Sequence, residues 1–150
     1  MKNVLEEFLL STPGCINFSD KPIYEVKPDK FSPIYVDIKA TLSDVSTRQR
    51  VTDKLTQISV PHVDYICGVE SGGSYYASSV ADRLGEKLIL FRTKSKLYGA
   101  KKHIVGEIPK KGEKILIIDD VLATGKTVGE ACEYFKNLGD EVFVRKVFSY

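Results

Sequence analysis

Residues 115–127 read ILIIDDVLATGKT, and this stretch decides the fold class and the place of the functional site. Four apolar residues in a row are typical of a strand that is buried on both faces of a parallel sheet. Two adjacent carboxylates follow, and a turn of Thr, Gly, Lys and Thr then leads into a helical pattern. Such a turn offers main-chain N–H groups and the positive end of a helix dipole, which suit a phosphate. Carboxylates can accept hydrogen bonds from sugar hydroxyls or hold a hydrated Mg²⁺. The stretch therefore predicts a site for a sugar phosphate such as ribose 5-phosphate.

Two other interpretations of this stretch compete with a sugar-phosphate site. Residues 125–127, GKT, resemble the end of a P-loop, but that motif needs its first glycine at position 120, which is Asp120. The P-loop is therefore excluded. An acidic pair at a strand end, followed by a capped helix with no ligand, remains the alternative for these residues taken by themselves.

Strand-like and helix-like patterns alternate around this stretch. Apolar runs at 65–69 and 88–91 predict two more buried strands, and apolar residues at helical spacing predict helices over 76–84 and 128–138. This alternation predicts the α/β class, with an open, mostly parallel twisted sheet flanked by helices. Ligands of such sheets bind beyond the carboxyl ends of the strands, so the segments that follow the strands are expected to surround one site.

The first third of the chain has a different pattern. Residues 1–10 have helical spacing, and prolines then separate short extended pieces, among them an alternating strand at 34–38. A helix is expected to begin near Ser43 or Asp44, either of which can cap it, and to end before Pro61.

Composition limits the classes of protein that the chain can belong to. It has 150 residues, 43% of them hydrophobic, and a net charge of +2, which suit one compact domain and do not indicate nucleic-acid binding. No apolar run is long enough to span a membrane, and residues 1–10 are too acidic for a signal peptide, so a cytoplasmic location is expected. Cys15, Cys67 and Cys132 have neither CxxC nor zinc-site spacing and are expected to be reduced thiols.

The complete 115–127 pattern resembles the motif by which type I phosphoribosyltransferases bind 5-phosphoribosyl 1-diphosphate (PRPP). The resemblance implies that the acidic pair meets the ribose hydroxyls and that the turn holds the 5-phosphate. The PRPP-binding residues implied are Asp119, Asp120, Val121, Leu122, Ala123, Thr124, Gly125, Lys126 and Thr127. It also implies a single domain over 1–150, with a small N-terminal hood of about residues 1–40 and a PRPP-binding core of about 41–150.

Two further segments resemble the orotate members of that family. Residues 31–37, FSPIYVD, resemble a strand near the start of orotate phosphoribosyltransferases, and Lys27 stands where they have a lysine that contacts the substrate. Residues 68–73, GVESGG, fall where the family has its pyrophosphate loop. The loop residues implied are Glu70, Ser71, Gly72 and Gly73. The carboxylate of Glu70 has the wrong charge for pyrophosphate and is expected to point away or toward a metal.

The basic segment 92–102 resembles the mobile catalytic loop of orotate enzymes. Arg92 and Lys96 match its pattern, whereas Thr93 and Tyr98 replace a basic residue and a histidine. The candidates to restore the missing charge are Lys94, Lys101, Lys102 and His103. In the family this loop closes over pyrophosphate, partly from the neighbouring subunit of a dimer. Arg92 and Lys96, with Asp120 from the acidic pair, are therefore the implied catalytic residues.

The resemblance implies a Mg²⁺-dependent enzyme that transfers phosphoribosyl from PRPP to orotate, giving orotidine 5′-phosphate and pyrophosphate. Mg²⁺ would be held mainly by PRPP, with Asp119 or Asp120 touching it through water. A homodimer with small-molecule substrates and neither nucleic acid nor membrane is implied.

Two alternatives stay open. Residues 122–125, LATG, resemble the adenine enzymes, and Ala123 stands where orotate enzymes often have a base-contacting Thr, so a purine phosphoribosyltransferase is one. A non-catalytic PRPP-sensing regulator is the other.

Orotate enzymes also carry a base-contacting arginine beyond the strand that corresponds to 141–148, and Arg145 is the candidate substitute.

Overall fold

The structure is a computed structural model that describes residues 9–57, 62–94, 103–122 and 124–149. For Lys27 and for residues 144–149 it describes the main chain only. The chain divides into two compact units, Met1–Val51 and Thr52–Tyr150. The division of the chain into a hood up to about residue 40 and a core beyond it stays a prediction.

The first unit contains two short antiparallel pairs of strands. The strands are β1 (Ile16–Phe18), β2 (Tyr24–Lys27), β3 (Lys30–Ser32) and β4 (Ile34–Val36). β1 pairs with β4, and β2 pairs with β3. A 3₁₀ helix at Ile38–Leu42 follows, with the Asp37 side chain accepting a hydrogen bond from the Lys39 N–H at 3.1 Å. The strand predicted over 34–38 is thus found, although it ends two residues earlier because this helix begins.

Helix α1 (Val45–Gln57) begins where the sequence predicts. The Thr47 N–H donates to the Asp44 carboxylate at 2.6 Å, which satisfies one of the N–H groups that the first turn of a helix leaves open. A hydrogen bond from the Thr47 side chain, together with this main-chain hydrogen bond, lowers the pKa of Asp44. Asp44 rather than Ser43 therefore caps this helix.

The second unit is built on a five-stranded sheet with the order β7-β6-β5-β8-β9. The strands are β5 (Tyr65–Val69), β6 (Lys87–Phe91), β7 (Ile104–Val105), β8 (Lys114–Leu122) and β9 (Glu141–Ser149). Four of them are parallel, and only β7 runs antiparallel, along β6. The predicted mostly parallel sheet is confirmed. Strand β7 was not predicted, because two residues are too few to show a period.

Helices α2 (Gly72–Leu84) and α3 (Lys126–Leu138) connect the parallel strands, and each ends at a glycine in the left-handed conformation, Gly85 and Gly139. A buried cluster joins alternate residues of the strands to α3. Its main members are Tyr65, Cys67, Val69, Ile89, Phe91, Ile115, Ile117, Val128, Ala131 and Phe135. Leu116 and Ile118, equally buried, point to the opposite face of β8, so the predicted burial on both faces is confirmed.

Strand β8 is longer than the sequence predicts. It continues past the acidic pair to Leu122, whereas the sequence predicts a strand whose carboxyl end is the acidic pair. The extra residues pair with β9, for example Val121 with Phe148, which supplies hydrogen bonds that local sequence does not reveal.

None of the described helices has the length and apolar character that crossing a membrane requires.

Candidate active site

Three segments meet at the carboxyl edge of the parallel sheet of the second unit. They follow β5, β6 and β8, as expected for a ligand site of an open α/β sheet. The Arg92 side chain after β6 contacts Glu70 after β5. A Cβ atom built on Gly72 would overlap the carboxylate of Asp120 in β8. The sequence-predicted pyrophosphate loop therefore contacts both the basic segment and the acidic pair.

The two carboxylates of β8 face different surroundings. Adjacent residues of a strand point to opposite faces, and here Asp120 lies against Gly72 whereas Asp119 is buried beside the turn that precedes α3. The Asp119 carboxylate accepts the Asp120 N–H at 3.0 Å, and the Asp120 carboxylate accepts the Val121 N–H at 2.9 Å. The pair thus offers one carboxylate to the turn and one to the pyrophosphate loop.

A small cavity of about 100 Å³ lies at the N-terminus of α3. Its lining consists of Asp119, Val121, Leu122, Thr124, Gly125, Lys126, Thr127 and Val128. Gly125 is the N-cap residue, with φ of 71°, and no side chain of the described residues caps the helix in its place. The N–H groups of the first turn therefore face this cavity with the positive end of the helix dipole, which suits a phosphate.

The polar side chains of the turn contribute unequally to this cavity. The Thr124 hydroxyl accepts the Lys126 N–H at 3.4 Å, which orders the turn. The Lys126 ammonium is largely exposed, and its nearest described carboxylate, that of Glu130, is 4.0 Å away. Main-chain N–H groups, rather than this ammonium, are therefore the hydrogen-bond donors that the cavity offers to an anion.

The predicted pyrophosphate loop is half helix. Helix α2 begins at Gly72, so Gly72 and Gly73 belong to its first turn and Ser71 is its N-cap residue. The peptide bond between Glu70 and Ser71 is cis. Because α2 follows β5 and α3 follows the parallel strand β8, the N-termini of both helices point to the same edge of the sheet.

An ion pair connects the pyrophosphate loop to the start of the basic segment. Arg92 Nε donates to Glu70 Oε2 at 2.7 Å, and this hydrogen bond raises the pKa of the guanidinium. Both residues line a cavity of about 300 Å³ with Thr93 and Lys94. In this structure the Glu70 carboxylate points toward Arg92, and the expectation that it points away from pyrophosphate or toward a metal stays a prediction.

His103 is a structural residue of this edge that the sequence did not identify as such. Its Nδ1 donates to the Arg92 carbonyl oxygen at 2.7 Å, and its own carbonyl accepts the Arg92 N–H at 2.8 Å. The ring stacks on Phe91 with centroids 5.8 Å apart. His103 therefore joins the two ends of the basic segment. The strand Ile104–Val105 that follows His103 pairs antiparallel with β6, and this pairing brings His103 beside Arg92. Nothing local in the sequence predicts this strand.

Several predicted site residues lie outside the described part of the chain. These are Lys96, Tyr98, Lys101, Lys102 and Ala123, and the side chains of Lys27 and Arg145.

The donor atoms at this edge fit a hydrated Mg²⁺ and do not fit a metal held by protein alone. No cluster of three or more potential metal ligands occurs within residues 9–57, 62–94, 103–122 and 124–149. Asp119 and Asp120 supply oxygen ligands, which Mg²⁺ prefers, and Mg²⁺ commonly takes its remaining ligands from substrate phosphates and water.

Comparison with protein families gives a match to the phosphoribosyl transferase domain over residues 47–146. The orotate phosphoribosyltransferase of Enterococcus faecalis is 34% identical over 123 residues, which are 79% of this chain and 58% of that protein. The chain thus spans less than two thirds of the length of this relative.

Solved structures show the same fold. The orotate phosphoribosyltransferase of Aeropyrum pernix superimposes with a TM-score of 0.76 at 21% identity, over 97% of this chain and 91% of that chain. An adenine phosphoribosyltransferase of Saccharomyces cerevisiae superimposes with a TM-score of 0.73 at 20% identity, over 97% of this chain and 89% of that chain. The fold is therefore shared by enzymes named for a pyrimidine and for a purine base.

Proposed function

This chain belongs to the phosphoribosyltransferase family, and we propose that it transfers the phosphoribosyl group of PRPP to orotate. The nitrogen N1 of orotate forms a bond to the anomeric carbon while the bond from that carbon to the pyrophosphate oxygen breaks. The proton of N1 is lost, and the products are orotidine 5′-phosphate and pyrophosphate.

The observation that carries the proposal is the pair of anion-binding features at one sheet edge. The N-terminus of α3 with its 100 Å³ cavity suits the 5-phosphate, and the cavity beside Arg92 suits the pyrophosphate. The carboxylates of Asp119 and Asp120 lie in β8, the strand that leads to the α3 cavity, and the Asp120 carboxylate lies against Gly72 of the loop that contacts Arg92. A ribose whose hydroxyls bind these carboxylates would place its two phosphate groups on the two anion sites.

The chain's own residues contribute positioning and charge stabilisation. The departing pyrophosphate gains negative charge, and we propose that the guanidinium of Arg92, which lines the 300 Å³ cavity, stabilises it. We assign the same role to Lys96 from the family resemblance, within a loop whose closure excludes water. No side chain acts as a nucleophile, since the base itself attacks.

Mg²⁺ is part of the proposal as a partner of PRPP. Asp119 or Asp120 would hold it through water, and the bound ion would neutralise charge on the pyrophosphate.

Orotate is favoured over a purine by sequence. The relative from Enterococcus faecalis is an orotate phosphoribosyltransferase, and the hood segment FSPIYVD resembles that subfamily. We propose that Lys27 contacts the base and that the active form is a homodimer, both by family resemblance.

Pyrophosphate release from PRPP with a panel of bases tests the function. Release with orotate but not with adenine, hypoxanthine, guanine, xanthine or uracil is the expected result. Release with a purine alone would replace orotate by that purine. PRPP binding without release on any base would identify a regulator and contradict the enzyme assignment.

A further inference from the structure

Glu70 presents a problem of charge at the proposed pyrophosphate site. It lines the 300 Å³ cavity together with Arg92, Thr93 and Lys94, and it is the acidic member of that lining. A carboxylate repels an anion, so its presence there calls for a role other than contact with pyrophosphate. We propose that Glu70 is a positioning residue that orients the Arg92 guanidinium toward the leaving pyrophosphate. This inference rests on the proposed function.

The atoms of the ion pair fit this role. Glu70 Oε2 accepts from Arg92 Nε at 2.7 Å, a short charge-assisted hydrogen bond. Nε is the nitrogen nearest the aliphatic part of the side chain, so the pair fixes the plane of the guanidinium. The two terminal Nη groups carry four more N–H donors that this pair does not use, and they can bind phosphate oxygens bidentately.

Main-chain hydrogen bonds hold both partners in place. The Glu70 N–H donates to the Phe91 carbonyl at 2.9 Å, which fixes the pyrophosphate loop beside the end of β6. The Arg92 main chain exchanges two hydrogen bonds with His103, at 2.8 and 2.7 Å. The side-chain pair therefore spans two anchored backbones, and the direction of the guanidinium depends chiefly on Glu70.

The side-chain pair is only partly shielded from water. The side chains of Arg92 and Glu70 are 25% and 29% exposed, so water weakens the attraction of opposite charges but leaves the hydrogen-bond geometry. Loss of Glu70 should therefore act mainly on where the guanidinium points. A simple repulsive role for Glu70 makes the opposite prediction, since its removal would then strengthen pyrophosphate binding.

The test compares four variants of the full chain: Glu70→Ala, Glu70→Gln, Arg92→Ala and Glu70→Ala/Arg92→Ala. Turnover of PRPP with orotate gives kcat and KM. Calorimetry in the presence of MgCl₂ gives the affinity for inorganic pyrophosphate. Glu70→Ala should lower kcat about 10-fold or more, a typical cost of misplacing a group that acts in the transition state. Glu70→Gln keeps an oxygen that accepts a hydrogen bond from Arg92 Nε, so its kcat should stay within about 3-fold of that of the parent.

The double variant decides whether Glu70 acts through Arg92. Glu70→Ala should cause no further loss in the Arg92→Ala background, in turnover or in pyrophosphate affinity. Glu107→Ala is the matched control, because Glu107 is an exposed carboxylate whose partner, Lys87, is 3.9 Å away and outside the cavity. That control should behave as the parent does.

Two results would overturn the inference. One is an additive loss in the double variant, and the other is tighter pyrophosphate binding by both Glu70 variants with unchanged turnover. Should Glu70→Ala fail to fold, Glu70→Asp replaces it, since its shorter side chain keeps the charge but draws back from Nε. A parent protein that binds pyrophosphate but transfers phosphoribosyl to no base would contradict the proposed function, while the binding cycle would still decide the role of Glu70. A parent that does neither would overturn both.

Discussion

Gly73 and Ile118 lie so close together that a Cβ atom on Gly73 would overlap the main-chain carbonyl oxygen of Ile118. The same atom would lie 2.9 Å from the Cα of Asp119. The first turn of α2 therefore packs directly on the backbone of β8 at the residue before the acidic pair. Only glycine permits this approach, which connects the pyrophosphate loop to the carboxylates.

Gly73→Ala should therefore impair both stability and PRPP use. Neither backbone can yield as a flexible side chain would, and overpacking of this kind costs about 1–3 kcal/mol. We expect a lower Tm and a lower kcat/KM for PRPP, measured on the same preparation. Gly129→Ala is the matched control, since nothing lies within 4 Å of a Cβ there and the position is inside α3. It should raise the free energy of unfolding by about 0.5–1 kcal/mol and leave activity unchanged. A Gly73→Ala protein with the parent's kcat/KM would contradict the packing argument.

Gly125→Ala tests the phosphate cavity. Gly125 adopts φ of 71° at the N-cap of α3, a conformation that costs other residues about 1–2 kcal/mol. The turn should relax by moving the N–H groups of the first helical turn, so the affinity for PRPP should fall together with the stability. Calorimetric titration with PRPP and thermal unfolding measure the two effects. Unchanged PRPP affinity would show that the α3 N-terminus does not hold the 5-phosphate.

Asp120→Asn tests ribose recognition. The carboxylate beside Gly72 is proposed to accept hydrogen bonds from the ribose hydroxyls, and a hydrogen bond to a charged group contributes about 1.5–3 kcal/mol. We expect KM for PRPP to rise roughly 10- to 100-fold, since each 1.4 kcal/mol is a factor of ten. Steady-state kinetics with PRPP as the varied substrate measure this. Unchanged kinetics would remove the assignment of Asp120 to the ribose.

Asp140→Asn should change how stability depends on pH. Both carboxylate oxygens of Asp140 are buried, and this burial raises the pKa of the group above its ordinary value of 3.8, while a hydrogen bond from the Gly112 main chain acts in the opposite direction. The folded protein therefore binds this proton more tightly than the unfolded chain does, so the parent loses stability as pH rises from about 4 through the raised pKa.

Asparagine cannot ionise, so the variant should be the more stable protein at pH 7, and its advantage should shrink toward pH 4. Denaturant unfolding across this range measures the difference, and Asp82→Asn serves as an exposed control. A parent that is the more stable protein at pH 7 would show that hydrogen bonding to the Asp140 carboxylate outweighs its burial.

The sequence by itself determined the parallel strands and the helices of the second unit and their order, but not β7. The run Ile115–Ile118 is apolar at every position, which is typical of a strand covered on both faces, and the helical stripes after Gly72 and Lys126 are equally local signals. Because parallel strands end at one edge, that order also placed the acidic pair, the pyrophosphate loop and the basic segment together. The spacing within residues 115–127 was enough to indicate a sugar phosphate.

Only the tertiary structure decided how these segments contact one another. Glu70 and Arg92 are 22 positions apart, and no local pattern reveals that the carboxylate of Glu70 contacts the guanidinium of Arg92. Asp119 and Asp120 are neighbours in sequence, yet the pleat of β8 sends them to different partners because the strand continues past Ile118. The physical reason is the distance along the chain over which each signal acts. Periodicity shows which face of one helix or strand is buried. A site depends on hydrogen bonds and close contacts between elements that are distant along the chain.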